Sequence, residues 1–257
     1  MSKKIFSLQS KNRKNLWKII VVLVIVALGV PGLQWLTHER QLLPEAMDTL
    51  ASDAQVTVTQ APWLTFTPTQ GNAIGFIFYP GGRIDPQGYA PLMREIALEG
   101  YLVVAPDMPL NIAAFRPNTA DKIIAAHPEI DRWVIGGHSV GGAMAAQYTS
   151  THSEAIAGLA IWASYPPDKA DLSDLEIPVT LIYGSRETRV TDSSVAERRH
   201  LLPPDTVYVR IEGGDHHQFG AYEIDPQEIL ATISPQAQLE QIIQATLDLL
   251  ARVSDAQ

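Results

Sequence analysis

The stretch Trp133-Val134-Ile135-Gly136-Gly137-His138-Ser139-Val140-Gly141-Gly142-Ala143-Met144-Ala145-Ala146 constrains this chain more than any other. An apolar run short enough for a buried strand meets, with no loop between, a run of small residues suited to a closely packed helix. Driving a strand straight into a helix strains the backbone of the corner residue. It also brings the chain so near itself that side chains two positions away on either side must be small. Gly137 and Gly141 meet that demand around Ser139. In this setting Gly-x-Ser-x-Gly reads as a nucleophile elbow: the hydroxyl stands above the sheet, and the amino end of the helix turns its unpaired N–H groups and positive dipole toward it. The bare pattern also arises as an ordinary glycine-rich turn; the strand before it and the alanines after it separate the two readings.

The amino terminus carries a second signal. Residues 1–18 hold Lys3, Lys4, Lys11, Arg13, Lys14 and Lys18 and no acidic residue, and 18 uncharged residues, 19–36, follow. That length just spans a bilayer, with Trp17 and Trp35 at the interfaces, so the expectation is a cytoplasmic basic tail, a transmembrane signal-anchor at 19–36 and everything beyond on the extracytoplasmic side. A cleavable signal peptide is the rival reading, because Ala27-Leu28-Gly29 resembles a cleavage site and would release a soluble exported protein. Pro31 and the apolar run continuing to Trp35 favour the anchor. Past residue 18 the chain has 13 basic and 28 acidic residues, a net charge of −15, which argues against nucleic acid and anionic substrates as partners. There is no cysteine, so disulfides and thiolate metal sites do not arise.

Residues 37–55 read as a polar juxtamembrane helix with Leu42, Leu43, Met47 and Leu50 along the domain surface. The domain proper is then 56–257. Residues 56–60 and 63–66 alternate like antiparallel edge strands. Buried strands follow at 74–79, 101–105, the run through Val134 and Ile135 that leads to Ser139, 156–163, 179–183 and 206–211, with helices at 91–99 and near 120–126, others between the later strands, and an amphipathic one at about 238–253. This alternation predicts a doubly wound, mostly parallel α/β sheet without a large cap domain, whose ligands bind at the carboxyl ends of the strands.

Over residues 56–253 these features resemble serine α/β-hydrolases. More narrowly, Tyr79-Pro80-Gly81-Gly82-Arg83, Met108-Pro109-Leu110-Asn111, residues 136–142 and His216-His217-Gln218-Phe219-Gly220 resemble a small prokaryotic group related to dienelactone hydrolases. The resemblance implies a Ser, then Asp or Glu, then His order of nucleophile, acid and base. It implies no metal or organic cofactor. The oxyanion donors are assigned to the backbone N–H groups of Gly82 and Val140, with Arg83 as the alternative to Gly82. Pro80 replaces the usual histidine of that loop, which need not matter where the donor is a backbone N–H. Glu187, three residues after Gly184, is the expected acid. A surface ion pair with Arg186 or Arg189 is its other reading, and Asp192 the reserve.

For the base, the loop Gly213-Gly214-Asp215-His216-His217 holds the only histidines after the last strand. The family pattern selects His216, and consecutive residues of an extended loop point opposite ways, so His217 should face elsewhere. His38, His127, His138, His152 and His200 fail on position. Trp162, Tyr165 and Phe219 are candidate substrate contacts and equally plausible core residues. The expected activity is a membrane-anchored serine hydrolase cleaving small-molecule carboxylic esters or thioesters through an acyl-enzyme. An acyltransferase or perhydrolase with the same residues, or a non-catalytic binding scaffold, are the alternatives.

Overall fold

In the computed structural model, which describes residues 40–255, the apolar runs become eight strands. They are β1 (Val56–Thr59), β2 (Leu64–Pro68), β3 (Ile74–Tyr79), β4 (Leu102–Ala105), β5 (Arg132–His138), β6 (Gly158–Trp162), β7 (Val179–Gly184) and β8 (Val207–Ile211). One sheet joins them in the order β1-β2-β4-β3-β5-β6-β7-β8. β1 pairs antiparallel with β2, and β2 with β4; every later pairing is parallel. Among the described residues six α-helices accompany the sheet: α1 (Pro44–Asp48), α2 (Ala90–Leu98), α3 (Ala120–Ala126), α4 (Val140–Thr151), α5 (Asp192–Arg198) and α6 (Pro235–Asp255).

The central strands are buried throughout, and their period of two divides each between separate cores. Phe76, Phe78, Val103, Val134, Ala160 and Ile182 join the inner faces of α2 and α6 on one side. Ile77, Tyr79, Val104, Ile135, Ile161 and Leu181 join residues of α3 and α4 on the other. The layering puts the ends of β3, β5, β7 and β8 along one edge, where the conspicuous loops of the sequence meet.

Two expectations change. Of the helix predicted over 37–55, the described residues 40–55 keep only α1, because Pro44 occupies its first turn and disfavours helix in the residue before it. Leu42 instead bridges to Tyr222, Leu43 N–H donates to the Ala221 carbonyl, and Met47 points outward at 53% exposure. Segment 40–55 is therefore packed into the body rather than appended to it. Between β6 and β7 there is no helix either; Pro166 and Pro167 at its start hold that connection irregular. The basic tail and the anchor expected at 19–36 lie outside the described residues. Among the described residues no helix is long and apolar enough to cross a membrane.

Candidate active site

At the β5–α4 corner Ser139 sits at φ 54°, ψ −121°, a conformation that side-chain-bearing residues rarely adopt. Its N–H donates to the Trp162 carbonyl (2.9 Å), and its carbonyl accepts from Ala143 N–H (3.1 Å), so sheet and helix hold the corner from both sides. A Cβ on Gly141 would lie 2.1 Å from the Tyr79 carbonyl oxygen, and one on Gly137 2.5 Å from the same atom. Both contacts are with backbone, which cannot swing aside. Gly141→Ala is expected to destabilise the fold by more than about 4 kcal/mol, read as loss of soluble protein or a collapsed melting temperature.

The loop after β8 brings His216 over Ser139. Ser139 O–H donates to His216 Nε2 (3.1 Å), and His216 Nδ1–H donates to the Glu187 carboxylate (3.0 and 3.2 Å to its oxygens). The Glu187 side chain is wholly buried, so the alternative of a surface ion pair does not hold. Asp192 is drawn off by Arg210 (2.9 Å) and the Tyr183 hydroxyl (2.8 Å) and is no part of this row. Gly184 allows the close approach: a Cβ there would lie 2.3 Å from the Gly214 backbone.

Asp215 does not touch the neighbouring imidazole. Buried to 1% exposure, its carboxylate accepts the backbone N–H groups of His217, Gln218, Leu230 and Ala231 at 2.8 to 3.1 Å, and the Gln238 amide bonds its backbone at both ends. The His216 loop is thus pinned from beneath. His217 turns the other way, its Nε2 4.0 Å from Glu228.

On the oxyanion side, Arg83 N–H is spent on the Asn111 carbonyl (2.7 Å), which removes the alternative donor. Gly82 backs onto Val140, whose side chain would lie 3.3 Å from a Cβ on the glycine, and both residues are partly exposed beside Ser139. Val140 is the first residue of α4, where the N–H has no partner within the helix.

A cavity of about 400 Å³ opens at Ser139 and His216, lined among others by Val140, Ala143, Tyr165, Val190, Arg189 and Arg198. Of the aromatic residues expected there, only Tyr165 lines it. Trp162 packs on Phe78 (4.6 Å between centroids) inside the core, and Phe219 stacks on His138 (5.0 Å) at full burial. Both rings are large enough that the core claims them. Two guanidinium groups face this wall despite the acidic chain, and Arg198 is paired with Asp168 (2.8 Å), which lines the same cavity. Sequence reasoning missed both arginines, because net charge says nothing about which charges face a cleft.

Residues 75–240 match the model of the alpha/beta hydrolase family. The chain belongs to that family. Solved structures with the same fold include a protein described as a CIB-like hydrolase from Thermoplasma acidophilum, 16% identical, with a TM-score of 0.57 over 77% of this chain and 98% of that one. One described as a dienelactone hydrolase from Klebsiella pneumoniae subsp. pneumoniae MGH 78578 is 16% identical, with a TM-score of 0.54 over 77% and 97%. Esterase 2 of Thermogutta terrifontis, phosphonylated by sarin, is 13% identical, with a TM-score of 0.55 over 78% and 95%. No curated protein matches the chain.

The His138 titration in this α/β-hydrolase couples to stability. Complete burial, then the nearby His216, hold His138 well below its ordinary pKa of 6.5, so the folded protein keeps it neutral. The unfolded chain binds that proton below pH 6.5 and the folded one does not, so stability falls as pH drops through and below 6.5. The expected slope from this residue reaches about 1.4 kcal/mol per pH unit, and chemical denaturation of His138→Gln between pH 5 and 6.5 should show it reduced. His217 is shifted the same way by burial and keeps its share.

Proposed function

We propose that this α/β-hydrolase is a serine hydrolase that cleaves carboxylic esters or thioesters through Ser139, His216 and Glu187. The observation that carries the reading is the unbroken row from Ser139 Oγ through both nitrogens of His216 to the buried Glu187 carboxylate, each step within 3.1 Å. In the first half-reaction Ser139 Oγ attacks the acyl carbonyl carbon while His216 Nε2 takes the hydroxyl proton. The N–H groups of Gly82 and Val140 hold the developing oxyanion, and Glu187 stabilises the imidazolium and its orientation. As the tetrahedral adduct collapses, His216 returns the proton to the departing alkoxide or thiolate, which leaves an acyl-Ser139 ester. In the second, water attacks that ester, His216 takes the water proton, and the acid departs as Ser139 regains its hydrogen.

The irregular β6–β7 connection leaves the cavity without a helical cap, which suits an open approach for water. The test is competition between acceptors. Purified full-length protein turning over p-nitrophenyl acetate in water with added methanol should release mainly acetate. Transfer to methanol far beyond its mole fraction would move the assignment to an acyltransferase.

We also propose that residues 19–36 remain attached and hold this domain outside the cytoplasm. Six cations before an 18-residue uncharged run support this orientation. Amino-terminal sequencing of membrane-purified protein should return the original terminus; a start near Val30 would mean an exported soluble enzyme.

A further inference from the structure

Next to the nucleophile, on the side away from the cavity, lies a histidine that the proposed chemistry does not use. His138 ends β5, and its ring is buried between Phe219 and His216. Its Nδ1 is 2.9 Å from the Tyr89 hydroxyl, and its Nε2 is 3.0 Å from the backbone carbonyl oxygen of His216. The Tyr89 hydroxyl in turn lies 3.0 Å from the backbone N of Gly81, the residue before Gly82 in the oxyanion loop.

The Tyr222 hydroxyl also interacts with that of Tyr89, and the three contacts of the row still admit one direction. Gly81 N–H can only donate, so Tyr89 oxygen accepts there and spends its own proton on His138 Nδ1. A neutral imidazole that accepts at Nδ1 carries its hydrogen on Nε2, and Nε2 faces a carbonyl oxygen, which can only accept. Every polar atom of a fully buried row is thereby satisfied, and no tautomer other than this one satisfies it. Gly81 is part of the fit, since a Cβ there would lie 2.7 Å from both His138 Nδ1 and the Tyr89 oxygen.

We infer that Tyr89 and His138 are positioning residues: a directed row of hydrogen bonds runs from the oxyanion loop through the residue beside Ser139 to the peptide that carries His216, and sets the base against the oxyanion donors. The inference rests on the reading of Ser139 and His216 as nucleophile and base. Without the row, three loops from three strands are each anchored separately, and the His216 main chain loses its tie on the Ser139 side. Asp215 and Gln238 would still hold it from the other. The neutral state of His138 follows from the same burial and keeps a second positive charge away from the imidazolium that forms on His216.

The experiment compares Tyr89→Phe, His138→Asn, His138→Gln and the double variant Tyr89→Phe/His138→Asn in the full-length protein. The readouts are p-nitrophenyl acetate kinetics, labelling rate with a fluorophosphonate, and melting temperature. Tyr89→Phe and His138→Asn are each expected to lower kcat by about 10- to 100-fold with KM within about twofold of wild type, because a misplaced base harms the transition state and not ground-state binding. The double variant should be no slower than the slower single one, since both break the same row. Glutamine places an amide nitrogen near the position of Nε2 and can still donate to the His216 carbonyl, so His138→Gln should recover kcat to within about fivefold of wild type.

A merely structural role would lower the melting temperature in the Asn and Gln variants alike while the folded fraction kept wild-type kcat. That result, or losses that multiply in the double variant, overturns the inference. Should His138→Asn fail to fold, Tyr89→Phe decides alone, because removing one oxygen leaves the packing of its ring on Phe78 and Tyr222 in place. A wild-type protein that neither hydrolyses the ester nor takes the label would end the hydrolase reading and this inference with it. An active wild type with unaffected variants ends only the inference.

Discussion

Ser139→Ala should lower kcat for ester hydrolysis by about 10³-fold or more while the protein melts within a few degrees of wild type. The loss is large because the acyl-enzyme route disappears entirely, leaving only what the oxyanion donors and binding do for direct attack by water. The fold should survive because alanine fills less space at a corner already tolerant of a β-carbon, and Ser139 main-chain bonds to Trp162 and Ala143 do not involve the hydroxyl. A fluorophosphonate should label wild type and leave the variant untouched, and peptide mapping should find the adduct on Ser139. An adduct on another serine, or undiminished turnover in the variant, would end the assignment.

The second large effect divides two adjacent residues. His216→Ala is expected to lower kcat by about 10³-fold or more, and His217→Ala by less than about tenfold. Only the His216 ring lies between Ser139 and Glu187, whereas His217 stands edge-on to it (81° between planes) and faces Glu228. Steady-state hydrolysis by the two purified variants settles the ranking. A reversed order would contradict the observed row. Equal large losses would point to collapse of the loop, which the melting curves of the same samples would reveal.

The parts of the site that were legible in the sequence are those whose chemistry is local. The elbow could be read because glycine spacing, strand and small-residue helix are consecutive. β3 and α3 fall at their expected residues, β3 because its six-residue run is buried at every position. Glu187 was within reach because one glycine, Gly184, marks the end of β7. What failed to show were relations between distant residues. His138 fails on position as a base, and the structure turns its ring away from the cavity to meet Tyr89 and His216. Nothing in the run Gly213-Gly214-Asp215 signals four N–H donors arriving at Asp215 from two segments. Trp162 and Phe219 stay open between substrate contact and core in the sequence, because an aromatic ring near a site and one in the core share a composition and differ only in direction; the structure places both in the core.

The Asp215 contacts also say how this enzyme can drift. All four of its donors are main-chain N–H groups, and of the two that come from the surface stretch Leu230 is 42% exposed and Ala231 half-buried. Their identity is therefore nearly free to change, while their position along the chain is not. Inserting or deleting a single residue between Phe219 and Leu230 would present the wrong backbone groups to a buried carboxylate, and the shift would be passed to His216 through one peptide. Within this surface stretch, selection acts on length before it acts on letters.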